Sequence, residues 1–466
     1  GRLRGAGDSG GGDGGVPAAA NITLNGTSYT ASGVAATDDT MIFSGPVTLA
    51  GGGATTVQNS GGETTDDIVF NSTIDGALAL TVTADTLGDI TFSGAIGSGG
   101  GGSEPTELNV DADDLVIDAV TLVTGGALTL ESNTIDLNGT LTTDGAAQLY
   151  TRTATQALNL GTDGTAGAWE LGDSGGDDEV SRLSGLANVT LGRDGVTQGT
   201  ITFRTVTLPT LTSFTIYTNG SGGGIVLDDE NSGTALNANG ATLSLNTGSG
   251  GIVATQTTND VAELRSDGAS IALDTSFEAN GDVGSGSPDP DNRVQFYNDQ
   301  AKVSIQTDGG DVWIGGLEDA TGVTYDAIDT FTGGAATNAG LVNIASRNST
   351  APWTSSRING DVDTGGTGDG GAQTYGDPII ITQAVTFTSA GTSADGNIQF
   401  DQDVTDNGGG FDLSIDAGSA NSGTVTFGDG ADDGTGDTLG DLVDIDGTLS
   451  LTADGGITAN AAPNQD

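Results

Sequence analysis

The side chains able to do chemistry in this chain are almost all carboxylates. Of 466 residues, 63 are Asp or Glu and 11 are Lys or Arg, while His and Cys are absent, so the formal net charge is -52. Without His, the usual general base and the usual zinc ligand are missing. Without Cys there is no disulfide, thiolate metal site or thiol nucleophile. Ser-His-Asp and Cys-His enzymes are thereby excluded. What remains is carboxylate chemistry: two carboxyls flanking a glycosidic bond, or oxygen ligands around a hard cation.

The first possibility is thinly equipped. "DLVDIDG" carries Asp441, Asp444 and Asp446, and the last two stand two apart, on one face of any strand. Glycoside hydrolysis needs two carboxyls about 5–9 Å apart with unequal pKa values. An enzyme acting on an acidic glycan also needs basic groups, and the chain has only Lys302 beside its arginines. These aspartates are expected to solvate an outward face, and no catalytic residue is assigned.

Calcium fits the composition better, because Asp-Gly turns supply carboxylates and free carbonyls. The densest groups are "GDGADDGTGD" (Asp429, Asp432, Asp433, Asp437) and "GDVDTGGTGDGG" (Asp361, Asp363, Asp369). A third is "GDSGGDDE" (Asp173, Asp177, Asp178, Glu179). None follows the calcium nonapeptide repeat or the EF-hand loop. Tight turns also demand Asp and Gly for their own geometry, so turn chemistry competes with metal binding at each group. No cofactor is required; calcium is the one candidate.

Other features carry less. The Gly-rich runs at 97–105 and 219–224 are followed by no Lys and open no helix, so they read as wide turns and not as phosphate loops. Sequons at Asn25, Asn71, Asn138 and Asn348 are potential glycan sites outside a cell. Trp169, Trp313 and Trp353, with Tyr150, Tyr217, Tyr297, Tyr325 and Tyr375, fall mainly in the middle of the chain. Such rings stack on sugars when exposed and fill junctions when buried. So acidic a surface does not suit nucleic acid, which needs clustered Lys and Arg, or an anionic membrane. No run of 18 apolar residues exists for a membrane span. The chain starts at Gly1 and its one methionine is Met41, which reads as a mature chain whose targeting segment has been removed.

The elements that must hold these side chains announce themselves by repetition. One phrase reads aliphatic residue or Met, any residue, Phe, three residues, then Ile or Val. It occurs as "MIFSGPV" from Met41, "IVFNSTI" from Ile68, "ITFSGAI" from Ile90 and "IQFDQDV" from Ile398. Its front half recurs at Ile201, Val294, Val385 and Val425, so eight of the 12 Phe residues lie in this setting. A second phrase opens on Gly and alternates aliphatics: "GALALTV" from Gly76, "GALTLES" from Gly126, "GATLSLN" from Gly240 and "GTLSLTA" from Gly447. Period two marks strands of about 4–7 residues, and no sustained helical period is found. Repeats of 19 residues, from Gly126 to Gly145, and 22, from Ile68 to Ile90, indicate a solenoid whose coils share one core. A sandwich array would need about 90 residues per module, and no such period exists. Phe43, Phe70, Phe92 and Phe400 are expected to point inward.

"DDIVFNSTIDGALALTVTADTLGDITFSGAIG" resembles the repeats of large bacterial surface proteins of the filamentous-haemagglutinin type. "GALALTVTADTLGDITFSGAIG" covers both halves of that pattern, and "GALTLESNTIDLNGTLTTDG" matches with Leu in place of Phe. The likeness extends over residues 40–145 and 380–460 and is weak over 150–375. It implies an all-β fold, a right-handed parallel β-helix (β-solenoid) with loop insertions in the middle, and an extracellular or cell-surface location. The expected organisation is a Gly/Ala-rich arm at 1–20, regular coils at 21–145, an irregular decorated region at 146–375, and regular coils with a C-terminal strand at 376–466. The expected role is a non-enzymatic structural subunit that docks head to tail on copies of itself. A monomeric glycan-binding adhesin is the alternative, and a carbohydrate-active enzyme comes third.

Overall fold

The computed structural model describes residues 2–3, 20–31, 40–60, 66–97, 103–119, 121–123, 126–161, 169–174, 177–196, 198–218, 223–228, 234–247, 251–254, 356–365, 369–376, 378–406, 408–419, 421–428 and 443–460, together with short strands between 262 and 345. Among them the chain is all-β, apart from one 3-10 turn at Val180–Ser184. It is a parallel β-solenoid. Two compact units are distinguished, residues 1–193 with 209–212, and residues 194–208 with 213–466.

In the first unit each coil contributes three short strands to three parallel ladders. Met41–Phe43, Ile68–Phe70, Ile90–Phe92, Asp114–Ile117 and Thr134–Leu137 form the phenylalanine ladder. Three residues later the chain has turned a corner, and Ile22–Leu24, Val47–Leu49 and Ile74–Asp75 form a short corner ladder. Thr55–Asn59, Ala79–Thr83, Glu107–Asp111, Leu128–Ser132 and Leu141–Thr151 form the leucine ladder. The seven-residue phrase is thus strand, corner and start of the next strand, and the Gly-opened phrase supplies the third side. Two sides of a coil are written in one phrase because only three residues separate them.

Alternation sets the core. Phe43, Phe70 and Phe92 are 0–1% exposed, and the register places them directly above one another. Their rings stack at 4.5 and 5.3 Å between centroids, with interplanar angles of 6° and 11°. Ile68, Ile90, Leu115 and Ile135 make the neighbouring column. Leu80, Leu108 and Leu128 do the same on the leucine ladder. Equivalent residues need not be a fixed distance apart in sequence: Leu128 pairs with Ala147, 19 positions on, but Ala147 pairs with Val189, 42 positions on. Excess chain leaves through the turns and the register resumes.

The leading glycines of the second phrase answer to close approach of coils. A Cβ on Gly126 would overlap the Thr106 carbonyl oxygen, and one on Gly145 would overlap that of Gly126. Coils meet backbone to backbone at this corner, so only hydrogen fits.

In the second unit the same scheme holds. Gln373–Tyr375, Ile398–Phe400, Thr424–Phe427 and Gly456–Ala459 pair in order. Ile379–Ile381, Val404–Thr405 and Val443–Asp444 make a second ladder. Val385–Thr388, Leu413–Asp416 and Leu449–Thr452 make the third. Phe400 is fully buried. It stacks between Tyr375 at 5.0 Å and Phe427 at 5.5 Å, and Phe387 meets it edge-on at 5.2 Å.

Replacing Phe92 by Ala removes the end of a three-ring stack. The expected cost is about 3–5 kcal/mol of unfolding free energy, measured by denaturant titration. A cost under about 1 kcal/mol would show that the stack does not hold the coils.

Candidate functional site

The residue just before, or first in, each of four strands of the phenylalanine ladder stands at one corner of the coil. Reading up the stack, these residues are Asp67, Asp89, Asp114 and Thr134. Each side chain reaches the next coil. The backbone N–H of Asp89 donates to Asp67 Oδ1 at 3.0 Å, and that of Asp114 to Asp89 Oδ1 at 3.2 Å. The Thr134 hydroxyl donates to Asp114 Oδ1 at 2.5 Å. Asn133 Nδ2 donates to Asp113 Oδ1 at 2.6 Å alongside. A strand's first N–H points away from its own ladder bond and has to be satisfied; here a carboxylate from the preceding coil does it.

This stacking crowds charge. Carboxylate oxygens of Asp89, Asp113 and Asp114 all lie within 4.8 Å of one another, and no other such trio occurs among the described residues. Burial first, then the charge of Asp114 and those of Asp67 and Asp113, push the Asp89 carboxyl up to about 6, against the pull of the Asp114 N–H. Three close carboxylates, one with its pKa raised to about 6, are chemically suited to a proton or to a hard cation with oxygen preference.

The same device recurs in the second unit. Asp361 Oδ1 accepts from the Thr386 N–H at 2.6 Å, and Asp412 Oδ1 from the Thr448 N–H at 2.7 Å. Asp406 Oδ2 accepts from both Phe411, at 2.9 Å, and Asp446, at 3.1 Å. Aspartates that read as turn formers or metal ligands are staples between coils.

The residues expected to bind calcium are placed as follows. Asp361 is such a staple. Asp363 Oδ1 accepts the Gly365 N–H at 2.7 Å, and burial raises its carboxyl above the ordinary value. Asp369 forms an isolated parallel bridge with Ala394. These three do not converge into a ligand set. Asp429, Asp432, Asp433 and Asp437 lie outside the described residues. In the third acidic group Asp173 pairs with Asp178 in a two-strand hairpin, and Glu179 Oε2 accepts the Gly172 N–H at 2.5 Å. Asp444 and Asp446 are exposed to solvent, and Asp441 lies outside the described residues. The trio at Asp89, Asp113 and Asp114 was not singled out from sequence, although Asp67 and Asp89 precede two of the phrases, 22 residues apart.

The aromatic residues weighed as sugar platforms divide. Trp169 is fully buried and donates its indole N–H to Ser132 Oγ at 3.2 Å. Tyr375 is fully buried and donates to Gln373 Oε1 at 2.8 Å. Tyr150 is 7% exposed and donates to Glu131 Oε2 at 3.0 Å. These rings fill the core and are closed to a ligand. Tyr217 is half-buried; the side chains of Trp313 and Tyr297, and all of Trp353 and Tyr325, lie outside the described residues. Asn25, Asn71 and Asn138 are exposed, and Asn348 falls outside the description.

A further feature lies in the rung formed by Val443–Asp444, Leu449–Thr452 and Gly456–Ala459. Leu449 is 41% and Ile457 50% exposed, while their ladder partners Leu413 and Val425 are fully buried. No rung covers its far side among the described residues. Its inward-facing apolar side chains and one row of backbone groups therefore face outward.

A raised carboxylate pKa destabilises the fold wherever the group is ionised. The contribution of Asp89 is therefore full below pH 4 and is lost as pH rises through about 6. With screening at this half-exposed site the loss is on the order of 1 kcal/mol. Asp89→Asn keeps the Oδ1 acceptor and removes the charge. It is expected to raise the thermal midpoint at pH 7 and flatten the profile between pH 5 and 7. In the unaltered chain, millimolar calcium at pH 7 is expected to raise the midpoint, a chelator to reverse the rise, and Asp89→Asn to blunt it.

No protein-family model, no curated protein and no solved structure matches this chain.

Proposed function

We propose that this chain is an extracellular structural protein, a β-solenoid building block that docks head to tail on copies of itself to form a filament or surface matrix. The observation that supports the reading is the last described rung: Leu449 and Ile457 are exposed at positions whose partners one rung earlier are sealed, and no described residue covers them. A parallel rung from a second copy would continue all three ladders and bury these side chains. Such a contact is heterologous and does not close on itself, so it propagates. A chain of charge -52 resists random aggregation, which leaves the strand edge as the favoured point of association. The missing nucleophile and base toolkit supports a role without catalysis, and the resemblance to surface repeat proteins supports a place outside the cell.

The alternative, a monomeric surface adhesin, is separated by imaging. Negative-stain microscopy of the concentrated protein is expected to show ordered polymers. Ile457→Lys sets a charge on the uncovered rung, and it is expected to leave single particles with an unchanged circular dichroism spectrum. Removing residues 1–20 tests whether that arm is the connector, since polymers of unchanged order would assign the contact to the rungs alone. A wild-type chain that sediments as a monomer at high concentration would replace the filament reading with the adhesin.

A further inference from the structure

One outward face of the second unit is built as a polar groove. Register aligns Asp361, Thr386, Ser414 and Ser450 in one column across four successive rungs. Two residues earlier along the strands, Ala384, Asp412 and Thr448 form a parallel column on the same face. These side chains line a depression of about 380 Å³. Its floor is sealed, because Val385 and Leu413 beneath it are 2% and 0% exposed. The depression exists because Ala384 projects nothing beyond its Cβ and the neighbouring column is short hydroxyls.

The chemistry of the lining narrows the occupant. Apolar ligands and lipid find only the Ala384 methyl group as an accessible apolar side chain here. A polyanion is repelled by Asp361, Asp412 and the charge of the whole chain. A cation held by carboxylates alone is disfavoured, since no three carboxylates here approach within ligand distance. A hydroxyl-rich neutral molecule remains. Ser and Thr hydroxyls both donate and accept, and carboxylates accept strongly from hydroxyls. The two carboxylates are also fixed in advance. Each spends Oδ1 on the N–H of the next rung, Thr386 at 2.6 Å and Thr448 at 2.7 Å, so the second oxygen is held without further loss of freedom. The polar groups repeat every rung, about 4.8 Å, along the solenoid axis. A polymer of short, regular repeat lying along that axis would meet the same groups at each step.

We infer that this groove binds an extended neutral oligosaccharide along the solenoid axis, through Thr386, Ser414 and Ser450 hydroxyls and the Asp361 and Asp412 carboxylates. The groove lies on the outer face of the ladder, and its last members, Thr448 and Ser450, belong to the last described rung, so binding and self-assembly are separated by experiment.

The test is titration calorimetry of the full chain with hexamers of β-linked glucose, β-linked N-acetylglucosamine and a uronic acid. Saturable binding is expected for at least one neutral hexamer, with the uronate at least about tenfold weaker. Thr386→Val combined with Ser414→Ala deletes two hydroxyls with little change of volume; it is expected to weaken binding at least about tenfold. Ala384→Tyr fills the depression and is expected to do the same by obstruction, so a folding defect in one variant does not decide the result. Absence of saturable binding to both neutral hexamers, uronate binding as tight as neutral, or unchanged affinity in both variants would overturn the inference. Carrying out the same titration on Ile457→Lys separates it from assembly, since loss of polymers there is expected to leave the affinity unchanged.

Discussion

The constraint on which everything else depends is that no coil of this chain can bury its own inward side chains. Phe70 has a ring above it and a ring below it, at 4.5 and 5.3 Å, and those neighbours close both faces of its own ring. The same is true of Phe400 between Tyr375 and Phe427. Stability in such a stack is a sum of interfaces between neighbours. The last described rung shows what the interface does: Ile457, with no described rung beyond it, is half exposed where Val425, one rung before, is sealed.

A stack with 63 acidic residues has to place its charge without breaking the ladders. Much of it is set at the corners, where each carboxylate accepts an N–H from the following coil. The benefit is a charge-assisted bond between coils. The cost is like charges repeated at rung spacing, and the elevated Asp89 carboxyl, raised by burial and then by Asp114, records it. Protonation of Asp89 relieves that repulsion, which ties coil-to-coil cohesion in the first unit to pH. Asp361 and Asp412 join rungs by the same kind of bond, while Asp363 and Asp416 cap turns through the N–H two residues on.

The proposed roles follow from two different surfaces of the same stack. The edge of a rung offers unpaired backbone groups and bare apolar side chains, which suit another rung. The outer face of a ladder offers short polar side chains in columns, which suit a polar ligand of regular repeat. A solenoid supplies both at once, because the repeat that seals the inside also orders the outside.

The sequence by itself determined the strands, their alternation and the inward Phe residues. Those follow from local rules: successive strand side chains take opposite faces, and the three-residue corner lies within one phrase. Even the Gly-opened phrase was legible as a strand start, though not its cause, which is the overlap that a Cβ on Gly126 would make with the Thr106 carbonyl. Only the tertiary structure decided which coils become neighbours, since the spacing of paired residues runs from 19 at Leu128 and Ala147 to 42 at Ala147 and Val189. It also decided that Asp361 satisfies Thr386, 25 positions away, and that Trp169 and Tyr375 lie inside. A hydrogen-bond acceptor or a large ring takes its role from whatever the stack sets beside it, and residue type does not encode that neighbour.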